Sequence, residues 1–217
     1  MGWVIAATVV GACAVCGAAQ TLDSVVASIG NVAITASDVE REYRFERFLA
    51  AQWPPAPPSL DALNAARQHL AYQMLLRTEE NPGPAEKAAA ETTAAEVLTT
   101  LRKAFARPED FERALVELGM TEAEVRARLA QEELMLRLID QRLRPAAAPT
   151  DDEVETYYHS TFVPEFQKKN GNSPPPALSA VAGQIREVLV QKHINELLDQ
   201  WIDELKPTAQ LRFHQFQ

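Results

Sequence analysis

The stretch Phe111-Glu-Arg-Ala-Leu-Val-Glu-Leu-Gly-Met-Thr-Glu-Ala-Glu-Val-Arg-Ala-Arg-Leu129 carries the densest helix punctuation in the chain. Gly119 stands where a helix over Phe111–Leu118 has to stop, because a left-handed C′ position costs glycine little. Thr121 offers its hydroxyl as the cap of a second helix, and Glu124, three residues on, completes a capping box. Met120 and Val125 occupy the N′ and N4 positions of a hydrophobic staple. Two helices therefore meet at a tight, defined corner. The second carries Val125, Leu129, Leu136, Ile139 and Leu143 on one face, while Leu134, Met135 and Leu138 make its far half apolar nearly all round. It is expected to be the central buried helix.

Upstream, Val25–Ile29 and Val32–Thr35 are rich in β-branched residues and flank Gly30-Asn31, a pair suited to the positive φ angles of a hairpin turn. Ser37 followed by Glu40 predicts a capping box that opens a helix carrying Val39, Tyr43, Phe45 and Phe48. That helix ends before Trp53, and the prolines from Pro54 to Pro58 make a stiff loop. Ser59 caps the next helix, whose apolar face is expected to be Leu60, Leu63, Ala66, Leu70 and Met74. Asn81-Pro82-Gly83-Pro84 stops it. A further helix over about 85–105 is expected to pack through Leu98, Leu101 and Phe105.

Downstream, Thr150 and Glu153 repeat the capping-box pattern, and Tyr157-Tyr158 follow on a short helix. Val163-Pro-Glu-Phe-Gln-Lys-Lys-Asn-Gly-Asn-Ser-Pro-Pro-Pro-Ala177 then reads as a polar, helix-breaking tether. The last helix, about 177–205, is apolar at Leu178, Val181, Ile185 and Val188, and again at Val190, Ile194, Leu197, Trp201 and Leu205. At about 100° per residue these two stripes fall on nearly opposite sides, so one helix faces two surfaces. Ala209 to His214 alternates as a closing strand would, beside the N-terminal hairpin.

The composition fits this reading. Of 217 residues 47% are hydrophobic, which supplies a core, and glycine is scarce, which favours helices. The formal net charge of −9 argues against a nucleic-acid partner, which calls for basic patches. Val4 to Ala19 is uncharged and ends in small residues, and Gly17-Ala18-Ala19 suits a signal cleavage site, although no Lys or Arg precedes it. Export to the periplasm is expected, with residues 1–19 removed and no transmembrane span left. An alternative is lipoprotein processing after Val10-Gly11-Ala12, which leaves Cys13 lipidated and the protein anchored to a membrane. Cys13 and Cys16 form a C-x-x-C, but one lying inside an apolar export segment rather than between a strand and a helix.

The ordered set formed by the exported start, the hairpin "VVASIGNVAITASDVE", the corner "ALVELGMTEAEVRARL", "PTDDEVETYY" and the long C-terminal helix with its strand resembles the SurA-type periplasmic chaperones and exported parvulin-like foldases. The resemblance spans about Leu22 to Phe213. It implies a mainly α fold: a multi-helix core over 20–162 with a small β-hairpin, completed by a C-terminal helix and strand over 177–217. In that family one or two parvulin isomerase domains usually separate these parts. Here residues 163–176 leave room for none, since such a domain needs on the order of a hundred residues. The resemblance therefore implies a chaperone core without its own isomerase.

Catalytic patterns are missing. His69, His159, His193 and His214 are scattered, with no carboxylate at metal-binding spacing, so no metal or other cofactor is expected. Asp151, Asp152, Glu153 and Glu155 suit the positive end of a helix better than acid–base chemistry. No G-x-S-x-G or phosphate loop is present. Phe45, Phe48 and Trp53, beside the proline loop, are candidates for a client-binding surface, with ordinary core packing as the alternative. The leading expectation is an ATP-independent holdase for unfolded or extended secreted and outer-membrane proteins. A scaffold subunit docking a folded partner and a residual prolyl isomerase are the alternatives.

Overall fold

Thr35 ends one element and begins the next. In the computed structural model, which describes residues 23–171 and 173–216, β1 (Val25–Ile29) and β2 (Val32–Thr35) pair antiparallel. Gly30 in their turn takes a φ of +53° and Asn31 stays at negative φ. The expected Ser37–Glu40 box is not used. The extended backbone of Thr35 (ψ 165°) already has N-cap geometry, so α1 (Ala36–Leu49) starts at the strand's end. The Thr35 hydroxyl accepts from the Asp38 N–H, and the Asp38 carboxylate accepts the Thr35 N–H at 2.9 Å. The expected leader, with its expected cleavage site, Cys13 and Cys16, lies outside the described residues.

Ser59 caps α2 (Leu60–Arg77) as expected, accepting from the Ala62 N–H. Its buried side differs from the expected stripe. Leu60 is 60% exposed at the helix start, and Ala66, Ala71, Gln73, Leu75 and Leu76 are buried, with Leu63, Leu70 and Met74 partly covered. The reason is that α2 packs against α1, against β1 and against two later helices, so no single stripe describes it.

α3 (Pro84–Ala104) and α4 (Pro108–Leu118) lead to the corner at Gly119, whose φ is +73°. The Met120 N–H donates to the Leu115 carbonyl and the Gly119 N–H to that of Val116, both at 3.1 Å, which is a Schellman closure. α5 (Glu122–Leu143) starts at Thr121 with its Glu124 box intact. Met120 is partly buried and Val125 fully buried in one cluster, as a staple requires. α5 packs against α2 and α3 and is the central helix. Leu136, expected on its buried face, is instead 57% exposed.

A capping box of Thr150 and Glu153 opens α6 (Asp151–Tyr157). The tether expected from residue 163 begins later. A widened π turn over Tyr158–Phe162 carries the chain straight into α7 (Val163–Asn170). Pro164 lacks the N–H that would close a turn on the Ser160 carbonyl, and the widened turn lies directly before it. Residues 173–177, which include the three prolines, form neither helix nor strand.

α8 (Leu178–Thr208) divides its packing as its two stripes predict. Val181, Ile185 and Leu189 join Val154 and Tyr158 in one cluster, with Leu189 buried in place of the exposed Val188. Further along, Ile194 and Trp201 are buried with Leu76, Ile139 and Leu143 of α2 and α5. β3 (Leu211–Phe213) then pairs antiparallel with β1, giving a sheet of order β2-β1-β3. The C-terminus thereby closes onto the N-terminal hairpin. The fold is mainly helical, with one small antiparallel sheet and a long C-terminal helix followed by a strand.

Candidate functional site

Phe45 and Phe48 are not surface residues. Phe45 is 1% exposed and Phe48 not at all, and Phe48 stands 5.5 Å, ring to ring, from both Phe105 and Phe111. Both sit on the side of α1 that α3 to α5 cover, so the expectation of a client surface fails for them. Trp53 lies at the rim of this cluster, edge-on to Phe48 at 6.3 Å. Its Nε1–H donates to Glu117 Oε2 at 2.8 Å, and the Arg44 guanidinium lies over its ring. A small cavity of about 240 Å³ opens beside it, lined by Pro54, Phe105 and Arg113. The proline loop that follows is fastened to α1 where the Tyr43 hydroxyl donates to the Ala56 carbonyl at 3.0 Å.

Exposed apolar side chains are scattered over the surface, and one of them, Leu136, stands in a groove between α5 and α8. Leu136, Ile139, Ile194 and Leu198 line a groove of about 560 Å³, and Arg137, Asp140, Gln191 and Asn195 make its walls. An apolar floor between polar walls can cover a short hydrophobic segment while the surroundings stay hydrated. Sequence reading placed Leu136 in the core because its spacing matches Val125, Leu129, Ile139 and Leu143. The register is correct, but α8 crosses α5 at a place that leaves Leu136 uncovered. No local signal could have revealed this.

The histidines also need reassigning. His193 Nδ1 lies 3.1 Å from the Ala147 carbonyl oxygen and His159 is exposed, in keeping with packing and surface roles. His69 departs from expectation: its Nδ1 is 2.8 Å from Glu46 Oε1 and 3.6 Å from Glu42 Oε1. Its Nε2 lies 3.1 Å from Gln73 Nε2. The hydrogen bond to Glu46, reinforced by the nearby Glu42 charge, raises the His69 pKa against the opposing effect of burial. Burial raises that of Glu132, held down in part by Arg128. Tertiary packing, not sequence spacing, brings these groups together.

Compared with known proteins, the chain matches no protein-family model and no curated protein sequence. The class defined by the fold is thus a mainly helical chain closed by its own C-terminal helix and strand. Among the described residues no helix is long and apolar enough to cross a membrane.

Proposed function

We propose that this chain is an exported, ATP-independent holdase. In this reading it captures unfolded or extended secreted and outer-membrane polypeptides in the groove between α5 and α8, without an isomerase domain of its own. The observation that carries the reading is the groove in which exposed Leu136 and half-buried Leu198 stand beside the core residues Ile139 and Ile194, between polar walls. The resemblance of the ordered segments to SurA-type chaperone cores supports it, as does the return of α8 and β3 to the N-terminal elements. Burying one or two client side chains there contributes a few kcal/mol, at about 25 cal/mol per Å² before ordering costs. That magnitude suits weak, reversible capture.

Aggregation of a denatured porin on dilution, followed by light scattering, tests the proposal. Suppression at near-stoichiometric chain, lost on Leu136→Glu and Leu198→Glu, is the expected result. Undiminished aggregation at several-fold excess of the wild-type chain overturns it. A folded partner recovered in place of unfolded clients would favour the scaffold reading. A prolyl-peptide isomerisation rate well above background would restore the isomerase.

A further inference from the structure

Three helices each direct a pair of side chains spaced i, i+4 at one point: Glu42 and Glu46 from α1, His69 and Gln73 from α2, Arg128 and Glu132 from α5. Pairs at that spacing share one helix face, and facing helices with such pairs are the usual framework of a metal site inside a bundle. One oxygen of this node is unexplained by the protein itself. Glu42 is only 2% exposed, yet its Oε1 has no hydrogen-bond partner. Leaving a buried carboxylate oxygen unpaired is costly unless another group meets it.

We propose that Glu42, Glu46 and His69 form a binding site for a divalent transition cation such as zinc, a site independent of the groove between α5 and α8. Glu42 Oε1, Glu46 Oε1 and His69 Nδ1 are the ligand atoms. A carboxylate and imidazole donor set suits zinc and its neighbours in the first transition row. One ligand atom from each residue can be chosen so that all lie within 4.8 Å of one another. The 2.8 and 3.6 Å separations from His69 Nδ1 bracket the roughly 3.3 Å expected between two ligands of a tetrahedral ion with bonds near 2.0–2.1 Å.

The surroundings complete the site. Arg128 binds the other oxygen, Glu42 Oε2, with its guanidinium carbon 3.8 Å from the centre of the Phe45 ring. It therefore orients the carboxylate while leaving Oε1 free. Gln73, turned end for end so that its oxygen faces His69, accepts the Nε2–H and fixes the tautomer whose Nδ1 can bind metal. Charge balances as well. Glu42, Glu46 and Glu132 against Arg128 leave two negative charges when His69 is neutral, the complement of one divalent ion. His69 is about half exposed, which gives the ion a route in and leaves a position for water.

The test uses the full chain carrying Cys13→Ser and Cys16→Ser, so that thiolates cannot bind the metal, after removal of metals with a chelator. Zinc chloride titrated calorimetrically should bind with one-to-one stoichiometry and raise the melting temperature. His69→Ala and Glu46→Gln, both on the accessible side of the site, should each weaken binding at least tenfold. Gln73→Ala should weaken it about tenfold through loss of the orienting bond. His159→Ala, remote from the node, should change nothing. Cobalt added to the unsubstituted node gives an independent readout that needs no variant of it: visible d–d bands of a four- or five-coordinate nitrogen–oxygen site. No zinc binding, no such bands, or binding that survives both His69→Ala and Glu46→Gln overturns the proposal.

Discussion

The guanidinium carbon of Arg142 stands 4.3 Å from the centre of the Trp201 indole, across the junction of α5 and α8. Beneath that contact Trp201 is buried among Leu76, Ile139, Leu143 and Ile194. The C-terminal helix is therefore part of the core begun by the N-terminal segments, and removing its anchor opens that core.

Trp201→Ala should destabilise the protein by about 3–5 kcal/mol, combining lost apolar transfer with the cavity left behind. At roughly 2–4 °C per kcal/mol for a chain of this size, the melting temperature should fall by about 10 °C. Thermal unfolding followed by circular dichroism measures it. An unchanged midpoint would mean that α8 does not pack as described.

Gly119→Ala should cost about 1–2 kcal/mol, because a Cβ there meets no neighbouring atom and the penalty comes from the φ of +73° alone. Gly119→Asn should cost less, since asparagine tolerates the left-handed region. Equal losses in the two variants, read by urea unfolding, would contradict a backbone origin.

Acid should weaken the capping boxes at Thr121 and Thr150. The Thr121 N–H and hydroxyl hold Glu124 below its ordinary value of 4.5, and those of Thr150 do the same for Glu153. A depressed folded-state pKa gives stability that is fully present above the unfolded value and is lost as pH falls through the folded one. The urea midpoint should therefore drop between pH 5 and pH 3. The double variant Glu124→Gln, Glu153→Gln should show a smaller drop, from a lower starting point at pH 7.

Glu80 behaves in the opposite sense. Burial raises its pKa, although Gln131 donates to its Oε2, and its Oε1 is buried without a partner. A carboxyl with a raised folded-state pKa favours folding below its unfolded value, and that contribution is lost as pH rises through the folded value. Glu80→Gln should thus raise the melting temperature at pH 7 by about 2 °C, with the gain vanishing near pH 3. A gain independent of pH would rule out ionisation as its source.

Local grammar was the most legible layer. The corner at Gly119, the Thr121 and Thr150 boxes, the Ser59 cap and the two stripes of α8 all follow from residues within a few positions of one another. Where neighbouring elements compete, local reading slipped. Thr35 took the cap expected of Ser37 because a strand ended on it, and Pro164 left the helix intact because the preceding turn widened.

By itself, the sequence determined that the chain is helical, where most of its helices start and stop, and that its last helix must serve two surfaces. Capping and periodicity act over one or two turns, so they are written in contiguous residues. Only the tertiary structure decided that Phe45 and Phe48 lie inside, that Leu136 lies outside, and that Glu42, Glu46 and His69 meet. Burial and electrostatic pairing depend on which helix crosses which, and that crossing is set by the packing of residues far apart in the chain.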